Sequence, residues 1–504
     1  MFEVLESDLA ARIGRLETPH GIVETPTFVP VVHPVRQTVN TQYLKNIGFD
    51  LVITNAYIAL RHYGDEARKR GIHDIINYDG AVMTDSGGYQ VLEYGSVEVE
   101  PVLMAHFEKD IKSDIPIPLD RPTGYRLDYE KAKYYVATTL KNAQETLYVI
   151  GNTDAIWVAP VQGAEHFDLV EYSARELDRM GFQLMALGSP VELMEAYEFA
   201  TLARMIVSAK KVVPAKPIHL FGAGHPLTIP LAIALGCDTF DSASYMLYAK
   251  DNRYMTSNGT VQFDELFYLS CQCPVCSSHT LQELRKMETD KRTVEIAKHN
   301  LHILKAEVEA VKQAIMEGRL WEYVMQKARA HPKLMEAVQI FKDIEMLEDG
   351  TPLFKERAIF FYDPIDQHRP EAKRFRKGIA TFQSSKKKLI LCPEDERHPF
   401  YSTRRYRDIA KKFPDAQICS YSPFLGIIPA EISDVFPASH NLAPRSYYRL
   451  EDYPTFIESL KDFTGRFEEI VIIAAPEAAA DDFIKQAIKA ARLNARLVDD
   501  ISAL

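Results

Sequence analysis

A chain of 504 residues is longer than one ordinary domain, so two or three domains are expected, one of them large enough to be a complete barrel. Hydrophobic residues make up 46% and charged residues 26%, and no apolar run approaches the ~18 residues of a membrane span, so no membrane association is expected. The net charge of −11 does not mark the whole chain as a nucleic-acid binder, because phosphate contacts need Lys and Arg. Those residues instead crowd one stretch, 373–412, which includes Arg404, Arg405 and Arg407. The N-terminus lacks a basic segment followed by an apolar core, so a cytoplasmic protein is expected. Six cysteines are too few for a disulfide scaffold, and Cys271, Cys273 and Cys276 lie within six residues, a crowding that suggests metal.

The first ~260 residues repeat one pattern, a short apolar run ending in polar residues or Gly and then an amphipathic stretch. The runs are Thr27–Val32, Asp50–Thr54, Ala81–Thr84, Ile115–Leu119, Ala155–Val161, Gln183–Leu187, Pro217–Phe221 and Thr239–Asp241. Helical spacing joins them, as in Asp128–Tyr148 and Glu192–Val207. Eight βα units in succession predict a (β/α)8 TIM barrel. Past residue 300 the pattern changes to long helices, Leu301–Glu317 and Leu320–Met346, the second broken at Pro332. Runs at 388–392, 417–421 and 470–473, with a helix over 476–491, predict a smaller α/β domain. The expected organisation is a barrel with its metal site (271–299) over 1–335, a helical connector over 336–378, and an α/β accessory domain over 379–504 that binds the polyanionic partner.

Cys271-x-Cys273-x2-Cys276 followed by His299 in a helical context gives three thiolates and an imidazole, a closed tetrahedral set suited to structural zinc. His279 is a rival fourth ligand, but two residues past Cys276 it strains a loop that already supplies three. Asp85, Asp120 and Asp241 each follow a different barrel strand. A lone aspartate there is often only a cap, yet paired carboxylates across a sugar carry glycosyl transfer, one attacking the anomeric carbon and the other moving the proton. Near them, Tyr89 could stack on a flat base or simply pack in the core. Gln162 could offer a donor and an acceptor to a purine edge, and Asp120 could accept from a ring N–H and an exocyclic amine. Phe221–His225 lacks the glycine fingerprint and following Lys of a phosphate cradle.

The segments 83–90 (MTDSGGYQ), 159–163 (APVQG), 219–226 (HLFGAGHP) and 240–245 (FDSASY), with the Cys-x-Cys-x2-Cys…His set, resemble the signatures of tRNA-guanine transglycosylases over about residues 10–300. The forms APVQG and FDSASY and the long C-terminal extension are similar to the archaeal branch, whose members act on guanine 15 of the tRNA D-loop. The resemblance implies exchange of that guanine for 7-cyano-7-deazaguanine through a covalent aspartyl–ribose intermediate. It implies Asp241 as nucleophile and Asp85 as general acid/base, although Asp85 has also been regarded as the family's nucleophile. Ser86, Asp120, Gln162, Gly188 and Ser189 would hold the base, Tyr89 would stack on it, and Cys271, Cys273, Cys276 and His299 would bind Zn2+. It further implies a homodimer that binds tRNA.

Archaeal members commonly carry a C-terminal PUA domain. No run of short strands before Leu504 suggests one, so a separate PUA-domain protein is an expected partner. Residues 420–429 resemble a region shared with the paralogous archaeosine synthase, which is one alternative. A non-catalytic tRNA-binding subunit and a glycoside hydrolase are two others. The intact carboxylate set argues against the first two, and the metal set together with the purine-edge residues against the last.

Overall fold

In the computed structural model, residues 1–88, 100–151, 153–394, 398–444, 449–474 and 478–499 are described. The chain divides into two compact units, Met1–Met316 with Leu320–Ile340, and Glu317–Arg319 with Phe341–Leu504. The predicted connector 336–378 therefore divides at Ile340, and its remainder folds into the second unit.

The first unit opens with an antiparallel sheet of β1 (Phe2–Asp8), β2 (Ala11–Thr18) and β3 (Gly21–Thr25). The barrel strands follow as β4 (Thr27–Val32), β5 (Leu51–Asn55), β6 (Ala81–Asp85), β7 (Ile115–Pro116), β8 (Val158–Val161), β9 (Leu184–Leu187), β10 (Ile218–Leu220) and β11 (Thr239–Ser242). They form one parallel eight-stranded sheet in the order β7-β6-β5-β4-β11-β10-β9-β8. Each coincides with one of the apolar runs. Strand alternation sends every second side chain inward. Val29, Leu51, Ile53, Ala81, Met83, Ile115, Ile117, Ile156, Val158, Leu184 and Ala186 pack as a single core, closed at the N-terminal end of the barrel by Leu16 and Val23 from the first sheet.

The seam between β7 and β8 closes at Asp114. Its carbonyl accepts from the Ile156 N–H at 2.8 Å. Its buried carboxylate accepts from the Val82 N–H at 2.8 Å, His20 Nδ1 at 2.6 Å and His73 Nε2 at 2.9 Å.

Helix Tyr129–Ile150 starts where Asp128 caps it by accepting from the Lys131 N–H. The stretch read as one helix over 192–207 is two, Val191–Glu195 and Phe199–Val212. Tyr197 breaks it by adopting a φ of 58°, with its ring stacked on His331 at 4.9 Å. A helix Thr289–Met316 follows, starting twelve residues before the predicted Leu301. The next predicted helix is divided into Leu320–Ala328 and Pro332–Val338, a 3-10 turn Gln339–Asp343 and a short helix Met346–Gly350.

The second unit is built on a five-stranded sheet. Its strands are Lys388–Pro393, Ala416–Ser422, Gly426–Pro429, Glu469–Ile473 and Arg496–Val498. All pairings are parallel except that of Gly426–Pro429 with Ala416–Ser422. Leu389 and Leu391 face one core and Ile390 and Cys392 the other, so both faces are covered, as a parallel sheet requires. Residues 420–429 form this antiparallel turn, with Gly426 at a φ of +81°.

Candidate active site and metal centre

The inward alternation of the barrel strands assembles the site. Continued past Met83, Val158 and Ala186, it brings Asp85, Gln162 and Gly188 to the C-terminal mouth, where barrel enzymes carry their chemistry. On β11, Phe240 packs outward against Phe28, leaving Thr239 and Asp241 inward.

The aspartates differ in how they are held. Asp85 accepts on both oxygens, from Asn55 Nδ2 at 2.8 Å and the Gly87 N–H at 3.3 Å. Asn55 is its register partner on β5. Burial, reinforced by the nearby Asp241 charge, outweighs those hydrogen bonds and pushes the Asp85 carboxyl up to about 6. Asp241 is held by one oxygen only, Oδ1, which accepts from His219 Nε2 and from the Gly222 N–H, both at 3.1 Å. Its Oδ2 has no hydrogen-bond partner among the described residues. Asp120 is pushed up to about 7, first by burial and then by the Asp85 charge, against the bond it accepts from Gln162 Nε2 at 2.6 Å.

Gln162 Oε1 accepts from the Thr123 N–H, Thr123 Oγ1 and Ser189 Oγ, at 3.1, 3.2 and 3.1 Å. These donors fix the amide orientation and use its carbonyl, so of the donor and acceptor read from sequence one amide hydrogen is left for a ligand. The Gly188 N–H is engaged with the Val161 carbonyl at 2.9 Å. A Cβ at Gly188 would lie 2.0 Å from Gln162 Nε2, and one at Gly88 1.8 Å from Asp120 Oδ1, so both positions need glycine for close approach. Ser189 sits beside them at a φ of 64°. The Ser86 hydroxyl is fully buried and has no partner among the described residues. Tyr89 lies outside the described residues.

Ser244 Oγ ties the segment 241–245 to 221–225 by donating to the Gly224 carbonyl at 2.6 Å, and Tyr245 Oη ties it to β4 by donating to the Val31 carbonyl at 2.8 Å. His219, Asn55 and Thr123 are the members of this network not singled out from sequence. Extending the inward alternation of β5 and β10 would have found the first two.

The metal centre is separate. Cys271, Cys273, Cys276 and His299 bring their ligand atoms within 4.8 Å of one another. Both Cys273 Sγ and Cys276 Sγ lie 3.4 Å from His299 Nδ1. Thiolate and imidazole arms of about 2.3 and 2.0 Å in a tetrahedron give an edge of about 3.5 Å, so this set fits an ion. His299 Nε2 donates to the Met255 carbonyl at 2.8 Å, which orients Nδ1 toward the cysteines. The rival, His279, caps helix Pro274–Ser278 and is not in the cluster. The other such grouping among the described residues, His20, His73 and Asp114, has each imidazole bonded to its own carboxylate oxygen and is satisfied without an ion.

Comparison with known proteins decides the family. The family model described as queuine tRNA-ribosyltransferase matches residues 7–333, and its match ends within the last helices of the barrel unit. The chain belongs to the queuine tRNA-ribosyltransferase family. Relatives along nearly the whole chain are named tRNA-guanine(15) transglycosylase. The protein from Sulfolobus acidocaldarius is 37% identical over 496 residues, covering 96% of this chain and 97% of that one. Those from Archaeoglobus fulgidus and Aeropyrum pernix are 40% and 41% identical, covering 88% and 87% of this chain and 88% and 86% of theirs. Within the queuine tRNA-ribosyltransferase family match lie both the aspartate cluster and the Cys3His set.

Proposed function

We propose that this protein is a tRNA-guanine(15) transglycosylase, exchanging guanine 15 of the tRNA D-loop for 7-cyano-7-deazaguanine. The observation that carries the division of labour is the unequal holding of the two aspartates. Asp241 has one oxygen anchored and the other open, as a nucleophile on ribose C1′ requires. Asp85 has both oxygens engaged and a proton affinity near neutrality, as an acid/base requires.

In the first half, Asp241 Oδ2 bonds to C1′ as the C1′–N9 bond breaks, and the electron pair leaves on guanine, which takes a proton from Asp85. In the second half the incoming base gives its N9 proton to Asp85 and bonds to C1′ as the C1′–Oδ2 bond breaks. Asp120, Ser86, the remaining Gln162 amide hydrogen and the backbone at Gly188–Ser189 line the purine edge. Intact aspartates disfavour both a non-catalytic subunit and the archaeosine synthase reading.

The Cys3His set would hold zinc with no open position, supplying fold stability alone. For tRNA contact the second unit offers the helix Arg404–Lys412, where Arg404, Arg407, Lys411 and Lys412 are exposed. Other cations of the 373–412 stretch serve the fold. Arg374 donates to the carbonyls of Glu348, Thr351 and Pro352, and Arg376 to those of Gln367 and Phe424. The test is to incubate the protein with transcribed tRNA and radiolabelled guanine and locate the label. Incorporation anywhere but position 15 would overturn the assignment.

A further inference from the structure

His219 is fully buried on the inward face of β10. Its two ring nitrogens both have partners on β11. Nε2 faces Asp241 Oδ1 at 3.1 Å, and Nδ1 faces Thr239 Oγ1 at 2.9 Å. The carboxylate can only accept, so Nε2 carries the hydrogen. The Thr239 hydroxyl bonds to Nδ1 and holds the ring in this orientation. Phe221 packs edge-on to the imidazole at 4.9 Å and confines the ring. The Gly222 N–H completes a two-donor cradle for Oδ1.

We propose that His219, oriented by Thr239, is a positioning residue for the nucleophile, an inference that rests on the function proposed above. The cradle fixes the carboxylate plane so that Oδ2 alone faces the ribose. When Oδ2 bonds to C1′, Oδ1 becomes the ester carbonyl oxygen and keeps both donors. When the incoming base attacks C1′, the C1′–Oδ2 bond breaks and its electron pair returns to the carboxylate. The recovered charge spreads onto Oδ1, where the two N–H groups receive it. No proton moves to or from His219 in either half, and the Asp85 proton balances N9 as before.

Preorganised donors aimed at developing charge act on the rate more than on binding. The experiment measures base exchange on full-length tRNA for H219A, H219Q, T239V and D241N, with metal content and Tm recorded for each. The H219A variant is expected to lose kcat on the order of 100-fold, with KM for tRNA within about twofold of wild type. H219Q, whose amide can reach where Nε2 stood, should recover at least about tenfold of that loss. T239V, which frees the ring to turn, should fall between wild type and H219A.

If H219A does not fold, H219Q and T239V still carry the test through their kcat against KM. Wild-type kcat in H219Q, T239V and any folded H219A, while D241N is inactive, overturns the inference and leaves the proposed function standing. Equal losses in H219A and H219Q that track a fall in Tm make His219 a packing residue and overturn it as well. Exchange by D241N would instead remove the nucleophile on which the inference rests.

Discussion

Asp120 and Asp85 share a water-poor barrel mouth, and each makes the other harder to ionise. Asp120 offers two charged acceptor oxygens to a purine edge only as a carboxylate, so affinity for the free base should weaken as pH falls through about 7. The Asp85→Asn change removes the neighbouring charge, so Asp120 ionises more readily and the same weakening should occur at lower pH. Titrating base affinity against pH in the two proteins checks this, and superimposable profiles would disprove it. Stability follows the opposite sign. The Asp85 carboxyl is raised in the fold, so its contribution is fully present below the unfolded value and lost as pH rises through about 6. Asp85→Asn should therefore be inactive yet more stable at pH 8, by up to about 3 kcal/mol, because each tenfold change in proton affinity is worth about 1.4 kcal/mol. Denaturant unfolding of the two proteins at that pH reads the difference. Asp85, Asp120, Gln162 and Asp241 were legible in the sequence because each ends an apolar run in a polar residue. Asn55 ends such a run too and was passed over for want of a charge, while His219 lies within a strand, where only the face it shares with its neighbours identifies it.

Among the elements, β7 is anchored through the residue before it, whose carboxylate ties β6 to two histidines. Asp114→Ala would strand the Val82 N–H and two imidazoles that now converge on one buried carboxylate. Hydrogen bonds to a charged group contribute about 1.5–3 kcal/mol each, so the expected loss is several kcal/mol and a clear drop in Tm. An unchanged Tm would mean that these three bonds contribute nothing net to the stability of the barrel. At the metal centre, Cys276→Ser should lose zinc and lower Tm, and full metal content would refute the ligand set. The barrel strands were legible because each is a short apolar run bounded by turn residues. The break at Tyr197 was not, because neither Gly nor Pro marks it and its positive φ accompanies a ring stacked on His331, a residue 134 positions away in the chain. Pro332 did mark the division of the next helix.

On the scale of the whole molecule, the net charge of −11 requires that any grip on tRNA come from a local patch. A charge run in sequence does not distinguish a guanidinium that caps carbonyls, as in Arg374 and Arg376, from one that faces solvent, as in Arg404. Reversing charge at Arg404, Arg407 and Lys411, which face solvent, should weaken tRNA binding uniformly across sequences and flatten its salt dependence, by about 0.7–0.9 in slope for each phosphate no longer neutralised. Binding isotherms at several salt concentrations measure both, and an unchanged slope would place the tRNA surface elsewhere.

The chain also crosses between its two units three times, because Glu317–Arg319 belongs to the second and Leu320–Ile340 to the first. Within the second unit, Glu317 pairs with Arg357 at 3.1 Å and the Arg319 guanidinium lies 4.3 Å over the Phe360 ring. No single cut in the gene therefore yields two whole pieces. A fragment starting at 341 forfeits this three-residue brace, and one starting at 317 drags along helices whose home is elsewhere. Domain shuffling by simple recombination between relatives would meet the same obstacle, which ties the inheritance of the C-terminal unit to that of the barrel.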